Sequence, residues 1–406
     1  MRAGLSHFRI PVVRKDPVRR DNVAVERGRH IVIIGGGVIG SAIAACLGER
    51  CAADGVTIIE RDPSYRRASS ALSTSSIRQQ FSTALNIELS QAGMAFLRSV
   101  RDEVGLVEPG YLYLASEAGR DALARQHAVQ RRSGAPVALL SPNELKRRFP
   151  WLDIAGLALG SLGVSGEGWF DGYGLLQLFR RRAMAAGARY VTDEAIGFEC
   201  EGSRIAAVRL GGGDKLPCDI AINATGPWAA KVAAWAGVDL PVRPRRRSVY
   251  VVDCRERPAG FPLTIDPSGL WFRPEGAYTI CGMPSPSDAD PDEPPLELEH
   301  ERWEPELWPA LARRVPAFAA VKLIGGWAGY YDYNTFDQNA VVGPAPGIDN
   351  LILANGFSGH GLQHAPAVGR AIAGWLATGR YVSLDLSPLG YERIAKGQPL
   401  REDNII

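Results

Sequence analysis

The chain has no CxxC pair. Its six cysteines, Cys46, Cys51, Cys200, Cys218, Cys254 and Cys281, are scattered. That excludes a dithiol redox motif and a zinc knuckle, assigns no residue to a metal, and predicts reduced, buried thiols in a cytoplasmic setting. No apolar run free of glycine and charge is long enough to cross a bilayer, so no transmembrane segment is expected. Lysine is scarce: the 46 basic residues include only Lys15, Lys146, Lys215, Lys231, Lys322 and Lys396, none in a motif with a chemical role. The net charge of +2, with both signs mixed along the chain, gives no reason to expect a nucleic-acid partner. Internal repeats are absent. Residues 1–29 are Arg-rich but broken by Asp16, Asp21 and Glu26 and lack a signal-peptide core, so they read as a mobile arm.

The most informative stretch is Ile31-Val-Ile-Ile-Gly35-Gly-Gly37-Val38-Ile39-Gly40, followed by a helical run and Val56-Thr-Ile-Ile-Glu60. The order is strand, glycine turn, helix, strand, acid. Gly35 permits the turn, Gly37 lets a pyrophosphate approach the backbone, and Gly40 lets the helix pack on the sheet. Val38 and Ile39 open the helix, whose N-terminus favours phosphate. Glu60 stands twenty residues after Gly40, where a carboxylate accepts from ribose hydroxyls and repels a 2′-phosphate. The pattern therefore calls for FAD or NAD rather than NADP. No second GxGxxG occurs, so one dinucleotide is expected and the reductant is a small molecule.

Further along, 84–104 and 119–132 read as helices and 111–115 as a strand. Ser141-Pro-Asn-Glu144 is a capping-box helix start, and 173–186 is amphipathic. Strands are expected at 189–199, 204–210 and 218–223, with a hairpin at 211–213. The region 247–283 is strand-rich, 284–299 is an exposed Pro- and acid-rich loop, and a helix covers 303–314. Strands at 340–342 and 351–354 precede a helix ending near 377. The run Ala68 to Ser76, rich in small and hydroxylic residues, reads as a ligand-contacting loop. Between the last strand and last helix lies Gly356-Phe-Ser358-Gly359-His360-Gly361-Leu362-Gln363, a second glycine cradle. Its helix N-terminus suits a flavin ring that takes charge on reduction, which favours FAD over NAD.

These motifs, with Glu60-Arg61, Ile77-Arg78, Gly168-Trp-Phe-Asp171 and Asn223-Ala-Thr225-Gly226-Pro-Trp228, resemble the D-amino-acid oxidase/sarcosine oxidase superfamily over residues 30–390. The segment Gly326 to Gln338 (GWAGYYDYNTFDQ) is most similar to the group of mitochondrial FAD-dependent oxidoreductase domain-containing proteins, a group linked with complex I assembly. The resemblance implies an α/β fold: a Rossmann-like FAD-binding domain (30–110, 171–245 and 320–390) and an α+β substrate domain on a large mixed sheet (111–170 and 246–319). It implies hydride transfer to flavin N5 from the carbon beside nitrogen in a secondary amine or an amino or imino acid. The alternative is a flavoprotein that mainly binds or assembles a respiratory complex.

By the same resemblance, Arg61 lies along the adenine and Ser69 and Ser70 near the pyrophosphate. The backbone at Ser75 and Ser76 runs beside the flavin. Ala195 packs near the adenine, and Thr225, Gly226 and Trp228 close the second wall. Arg78 grips the substrate carboxylate, and Gln363 stands where sarcosine oxidases have a second cation. His360 is held in the flavin turn. Tyr331, with Tyr330 and Asp332, faces the flavin, and Arg273 reaches the pocket from a substrate-domain strand. Arg245, Arg246 and Arg247 read instead as a solvated charge run. Monomeric sarcosine oxidases tether flavin through a cysteine in the segment matching 327–337. This chain has none there, so FAD is expected to be noncovalent. They also place a lysine above flavin N5, where this chain has Trp271. A dehydrogenase passing electrons to a carrier or quinone is therefore expected rather than a fast oxidase. The oligomeric state is left open.

Overall fold

Ile31–Ile34 is apolar at every position because both of its faces are covered. Ile31 and Ile33 belong to one hydrophobic cluster, and Val32 and Ile34 to another on the opposite face. In a computed structural model that describes residues 29–50, 55–284 and 295–403, this strand lies inside a six-stranded sheet. The spatial order is Val341–Pro344, Leu351–Asn355, Ile220–Asn223, Ile31–Ile34, Val56–Glu60 and Arg189–Thr192. All neighbours are parallel except the Val341–Pro344 edge strand. Helices Val38–Arg50, Gly172–Ala185 and Gly361–Thr378 pack on one face. A three-stranded sheet (Ala195–Glu201, Arg204–Leu210 and Lys215–Pro217) and the helix Ala229–Ala234 cover the other. The first and last of those three helices approach so closely that a Cβ on Gly369 would lie 2.8 Å from the Ala42 carbonyl.

A second sheet has eight strands in mixed directions, with Lys322–Asn334 at one edge and Val137–Leu140 at the other. The long strand Val242–Asp253 pairs antiparallel with Lys322–Asn334 along almost its whole length, Arg247 opposite Gly329 and Arg245 opposite Tyr331. Trp308–Arg314 covers part of this sheet in a cluster built on Tyr250, Phe261, Phe272 and Phe318.

Most expected elements fall within a few residues of their sequence bounds. The capping box at Ser141 and Glu144 is formed. Several expectations are corrected. The boundary at 320 cuts through a pairing: 322–334 belongs to the large sheet because it completes Val242–Asp253. The nucleotide unit runs past 390, since Arg393 closes a buried ion pair with Asp337, Nε to Oδ2 at 2.7 Å. The stretch 189–199 is two strands in different sheets. Within the run 68–76, Ser69–Leu72 forms one helical turn. Helix 303–314 opens with a wider turn, Trp303–Leu307, before Trp308–Arg314. Cys200 is exposed, not buried. The arm 1–28, Cys51 and 285–294 lie outside the described residues, and Glu299, at the end of the expected exposed loop, is buried.

Candidate active site

The two glycine turns, more than 300 residues apart, open onto one cleft. It encloses about 2180 Å³ of empty space, part of it open to solvent. It runs from Glu60 and Trp228 at one end to Arg78, Tyr331 and Trp271 at the other.

At the first turn the three glycines have separate physical reasons. Gly35 has φ +99°, and a Cβ there would sit 2.5 Å from the Ala224 carbonyl oxygen. A Cβ on Gly40 would sit 2.0 Å from the Gly35 carbonyl oxygen. Gly37 has neither reason: a Cβ would meet only Ser70 Oγ, at an ordinary 3.4 Å. The protein leaves that space to something else. Two backbone donors of the turn are already engaged. Gly36 N–H donates to Glu60 Oε2 at 2.9 Å, and Val38 N–H donates to Ser70 Oγ at 3.0 Å. Ser69 Oγ is buried, has no hydrogen-bond partner and lies on the cleft wall. An orphaned hydroxyl beside an unfilled backbone cradle fits a pyrophosphate. Burial raises the Glu60 carboxyl above its usual value, and the N–H groups of Asp62 and Gly36 oppose that shift. The Arg61 guanidinium lies 3.9 Å from the Trp228 ring centroid and pairs with Glu194 at 3.5 Å. Thr225 Oγ1 donates to Asn223 Oδ1 at 2.7 Å, so Thr225 and Gly226 are set by the end of the neighbouring strand.

At the far end, Arg78 is 3% exposed. Its Nη1 donates to the Gln80 carbonyl at 2.8 Å, its Nη2 lies 3.0 Å from His360 Nε2, and its guanidinium rests 4.1 Å from the Phe81 ring centroid. His360 Nε2 therefore accepts, which places any ring proton on Nδ1. Burial, with Arg78 and His364 nearby, holds His360 well below the ordinary histidine value, so it is neutral. Gln363 Oε1 accepts the Arg78 backbone N–H at 2.8 Å, so its carbonyl positions Arg78. Glu167 underpins the same loop: it is fully buried and accepts from the backbone N–H groups of Gln79 and Gln80, at 2.6 and 3.1 Å, and from Gln80 Nε2 at 2.8 Å. Burial pushes its carboxyl up to about 7.

The second turn is anchored by the large sheet. Asp332 Oδ2 accepts from Phe357 N–H at 3.0 Å, and burial pushes that carboxyl up to about 6. Asn334 N–H donates to Ser358 Oγ at 3.0 Å. Gly359 has φ +93°, and a Cβ there would lie 2.5 Å from the Tyr331 ring.

Most sequence-assigned residues line the cleft: Gly35, Gly37, Val38, Ile39, Glu60, Arg61, Ser69, Ser70, Ser76, Ala195, Thr225, Gly226, Trp228 and Ser358 through Gln363, together with Arg78, Tyr331 and Trp271. Gly40, Ser75, Gly356 and Arg273 do not. Gly40 faces Gly35, and Gly356 packs against Val242 and Asn334. Ser75 has φ +55° and its hydroxyl donates to the Ser73 carbonyl. The pocket role of Arg273 is corrected. Its Nη2 donates to the Thr74 carbonyl at 2.7 Å, its Nη1 engages Pro274 and Glu275, and it stacks on Trp169. It ties the large sheet to the 73–76 loop. The solvated reading of 245–247 is also corrected: all three arginines are half-buried on a paired strand, and Arg247 lines the cleft. Tyr111 was missed as well. It lines the cleft, with its hydroxyl bonded to Ser76. Strand alternation was the available signal at both positions.

Among the described residues no group of three or more His, Cys, Asp or Glu could hold a metal, and no helix is long and apolar enough to cross a membrane. Comparison with known proteins agrees with this geometry. The DAO family profile, "FAD dependent oxidoreductase", matches residues 30–375. "FAD-dependent oxidoreductase domain-containing protein 1" of Xenopus laevis is 41% identical over 93% of this chain and 84% of its own length. Glycine oxidase of Geobacillus kaustophilus is 27% identical over 89% of this chain and 96% of its own. The solved L-proline dehydrogenase of P. horikoshii superposes with a TM-score of 0.81 at 27% identity, covering 91% of this chain and 99% of that one.

Proposed function

This chain belongs to the DAO family of FAD-dependent oxidoreductases, and from that premise we propose that it oxidises the C–N bond of a secondary amine or an amino or imino acid. The observation that carries this reading is Arg78, a buried guanidinium on the cleft wall beside the second glycine turn. Bound FAD supplies the acceptor for a hydride from the carbon next to nitrogen. Arg78 receives the substrate carboxylate, for which a guanidinium fork is suited. A nearby fixed cation and a desolvated cleft both disfavour an ammonium, so the amine enters as the free base. No base is then required, and His360, neutral with its Nε2 engaged by Arg78, serves to hold that side chain. The helix Gly361–Thr378 directs its N-terminus at the cleft and favours negative charge developing there. The imine product hydrolyses in water.

Noncovalent binding of FAD is supported by the cleft lining, which contains no cysteine among the described residues. A carrier or quinone as acceptor is supported by Trp271 in the wall; the one lining lysine among the described residues, Lys231, follows the Thr225–Trp228 wall on helix Ala229–Ala234. A reducing compartment such as the cytoplasm suits Cys46, Cys200, Cys218, Cys254 and Cys281, all of which are free thiols.

The test is anaerobic mixing of the yellow holoprotein with a panel of N-methyl and D-amino acids, followed by air. Bleaching by at least one acid and slow recovery in air are expected. Bleaching by none overturns the enzymatic reading and favours a binding or assembly role. Recovery as fast as bleaching overturns the dehydrogenase assignment.

A further inference from the structure

We infer that the acid taken by this site carries two anionic groups, as an amino or imino dicarboxylate does, with Arg78 receiving one and Arg247 the other. The inference rests on the proposed amine-acid reading and names its substrate class.

Strand geometry separates the three consecutive arginines. Alternation puts Arg246 on one face, where its Nη2 pairs with Glu299 Oε1 at 3.1 Å and its Nη1 donates to the Pro295 carbonyl. Arg247 is on the other face and enters the cleft, opposite Gly329 on the neighbouring strand. Its guanidinium carbon lies 5.2 Å from the Tyr331 ring centroid, and that ring in turn packs against Gly359 of the second glycine turn. Arg247 is therefore at the same end of the cleft as Arg78. Its Nη1 donates to the Arg246 carbonyl at 2.9 Å, while its Nε is buried without a partner. Among the described residues no carboxylate forms an ion pair with it. Arg245, Arg246 and Arg273 share the unpartnered Nε, but Arg247 alone among them faces the cleft, and a half-buried cation there without a carboxylate partner is costly unless a ligand completes it.

Tyr331 reports the shared field. Burial pushes its hydroxyl up, and Arg247 and Arg78 both pull it back, so the two cations act on one phenol. Asp332, the acid next along the strand, has its Oδ2 on the Phe357 N–H. Gln363 adds no charge and has its carbonyl on Arg78. The second positive site at this end is thus supplied by the sheet.

The experiment measures equilibrium binding to the holoprotein by quenching of tryptophan fluorescence and perturbation of the flavin band, using N-methylaspartate and iminodiacetate against N-methylalanine and sarcosine. Flavin bleaching is read separately with the same four acids. In the native protein each diacid is expected to bind about tenfold or more tightly than its monoacid counterpart, the worth of one charge-assisted hydrogen bond. Arg247→Met should bring the ratio to about one, and Arg247→Lys should retain part of it. A native ratio near one, or a ratio unchanged in Arg247→Met, overturns the inference, and the native ratio stands as a test even if the variant fails to fold. A shifted flavin reduction potential in Arg247→Met with an unchanged ratio overturns it too and would place Arg247 against the cofactor. If diacids bind preferentially but no acid bleaches the flavin, the redox reading fails while the charge assignment holds. Bleaching by monoacids without diacid preference gives the reverse.

Discussion

The two ends of the cleft handle charge differently. At the nucleotide end acids and bases are mixed: Glu60, Asp62, Asp193 and Glu194 line the wall, Arg61 pairs with Glu194, and Glu60 accepts two backbone N–H groups. At the other end two guanidinium groups, Arg78 and Arg247, share a wall with Tyr331, Tyr111 and Trp271. The first end suits a ligand with many hydroxyls and a phosphate that backbone N–H groups and serine hydroxyls receive. The second suits a small anion held by side chains. The first is built from backbone and small residues, so its failure mode is steric. The second is built from buried charges held by other polar groups, so its failure mode is electrostatic.

The largest effect should come from the steric end. Gly40→Ala places a methyl group 2.0 Å from the Gly35 carbonyl oxygen, and the protein should purify colourless with a melting temperature at least about 10 °C lower. Gly37→Ala should behave differently. Its methyl meets only Ser70 Oγ, at 3.4 Å, so the apoprotein should melt within about 2 °C of the parent while flavin is lost on gel filtration. Equal loss of stability in both would break the distinction drawn between these glycines.

At the electrostatic end, Arg78→Ala should weaken binding of a carboxylate-bearing acid by about a hundredfold, measured by flavin-band titration. Unchanged affinity would remove Arg78 from the substrate.

Glu167 gives a pH-dependent effect of similar size, on stability rather than on binding. Its carboxyl rises from 4.5 to about 7 because burial disfavours the charge. The folded state therefore holds the proton more tightly than the unfolded chain. Its contribution to stability is fully present below about pH 4.5, declines as pH rises and is lost above about 7, a change on the order of 3 kcal/mol. Glu167→Gln should flatten this limb of the stability–pH curve between those values. A parallel curve would show that another group carries it.

The smallest effect is expected from Ser69→Ala. Removing an orphaned buried hydroxyl should leave the apoprotein as stable or slightly more so, yet weaken flavin binding by about fivefold, measured by fluorescence titration. Unaltered affinity would remove Ser69 from the phosphate path.

Legibility in the sequence follows the same division. The strand–turn–helix at 31–50 is contiguous, the roles of Gly35 and Gly40 follow from contacts within the turn or with a neighbouring strand end, and that of Gly37 from the space left beside it, so spacing alone conveyed the unit. The second turn, 356–361, was legible for the same reason. The arginine run was misread because three like charges in a row look solvated until pairing with Lys322–Asn334 turns alternate side chains to opposite faces. Arg273 was misplaced because its spacing shows a strand but not that Thr74, about 200 residues away, would take its donor. Glu167, buried under the Arg78 loop, lies one residue before the matched Gly168–Asp171 motif and shows no local sign of its three acceptor bonds.

The nucleotide end was readable from residue spacing, because it rests on backbone conformation and short-range periodicity, which a chain carries wherever it folds. The family, the two-sheet architecture and the arginine beside the second turn followed from the resemblance of the chain's motifs to a known family. Only the tertiary structure decided which cations share the far end of the cleft, which residues merely hold them and where one domain yields to the other. Those depend on side chains far apart in the chain, whose burial and partners exist only once the two sheets have formed.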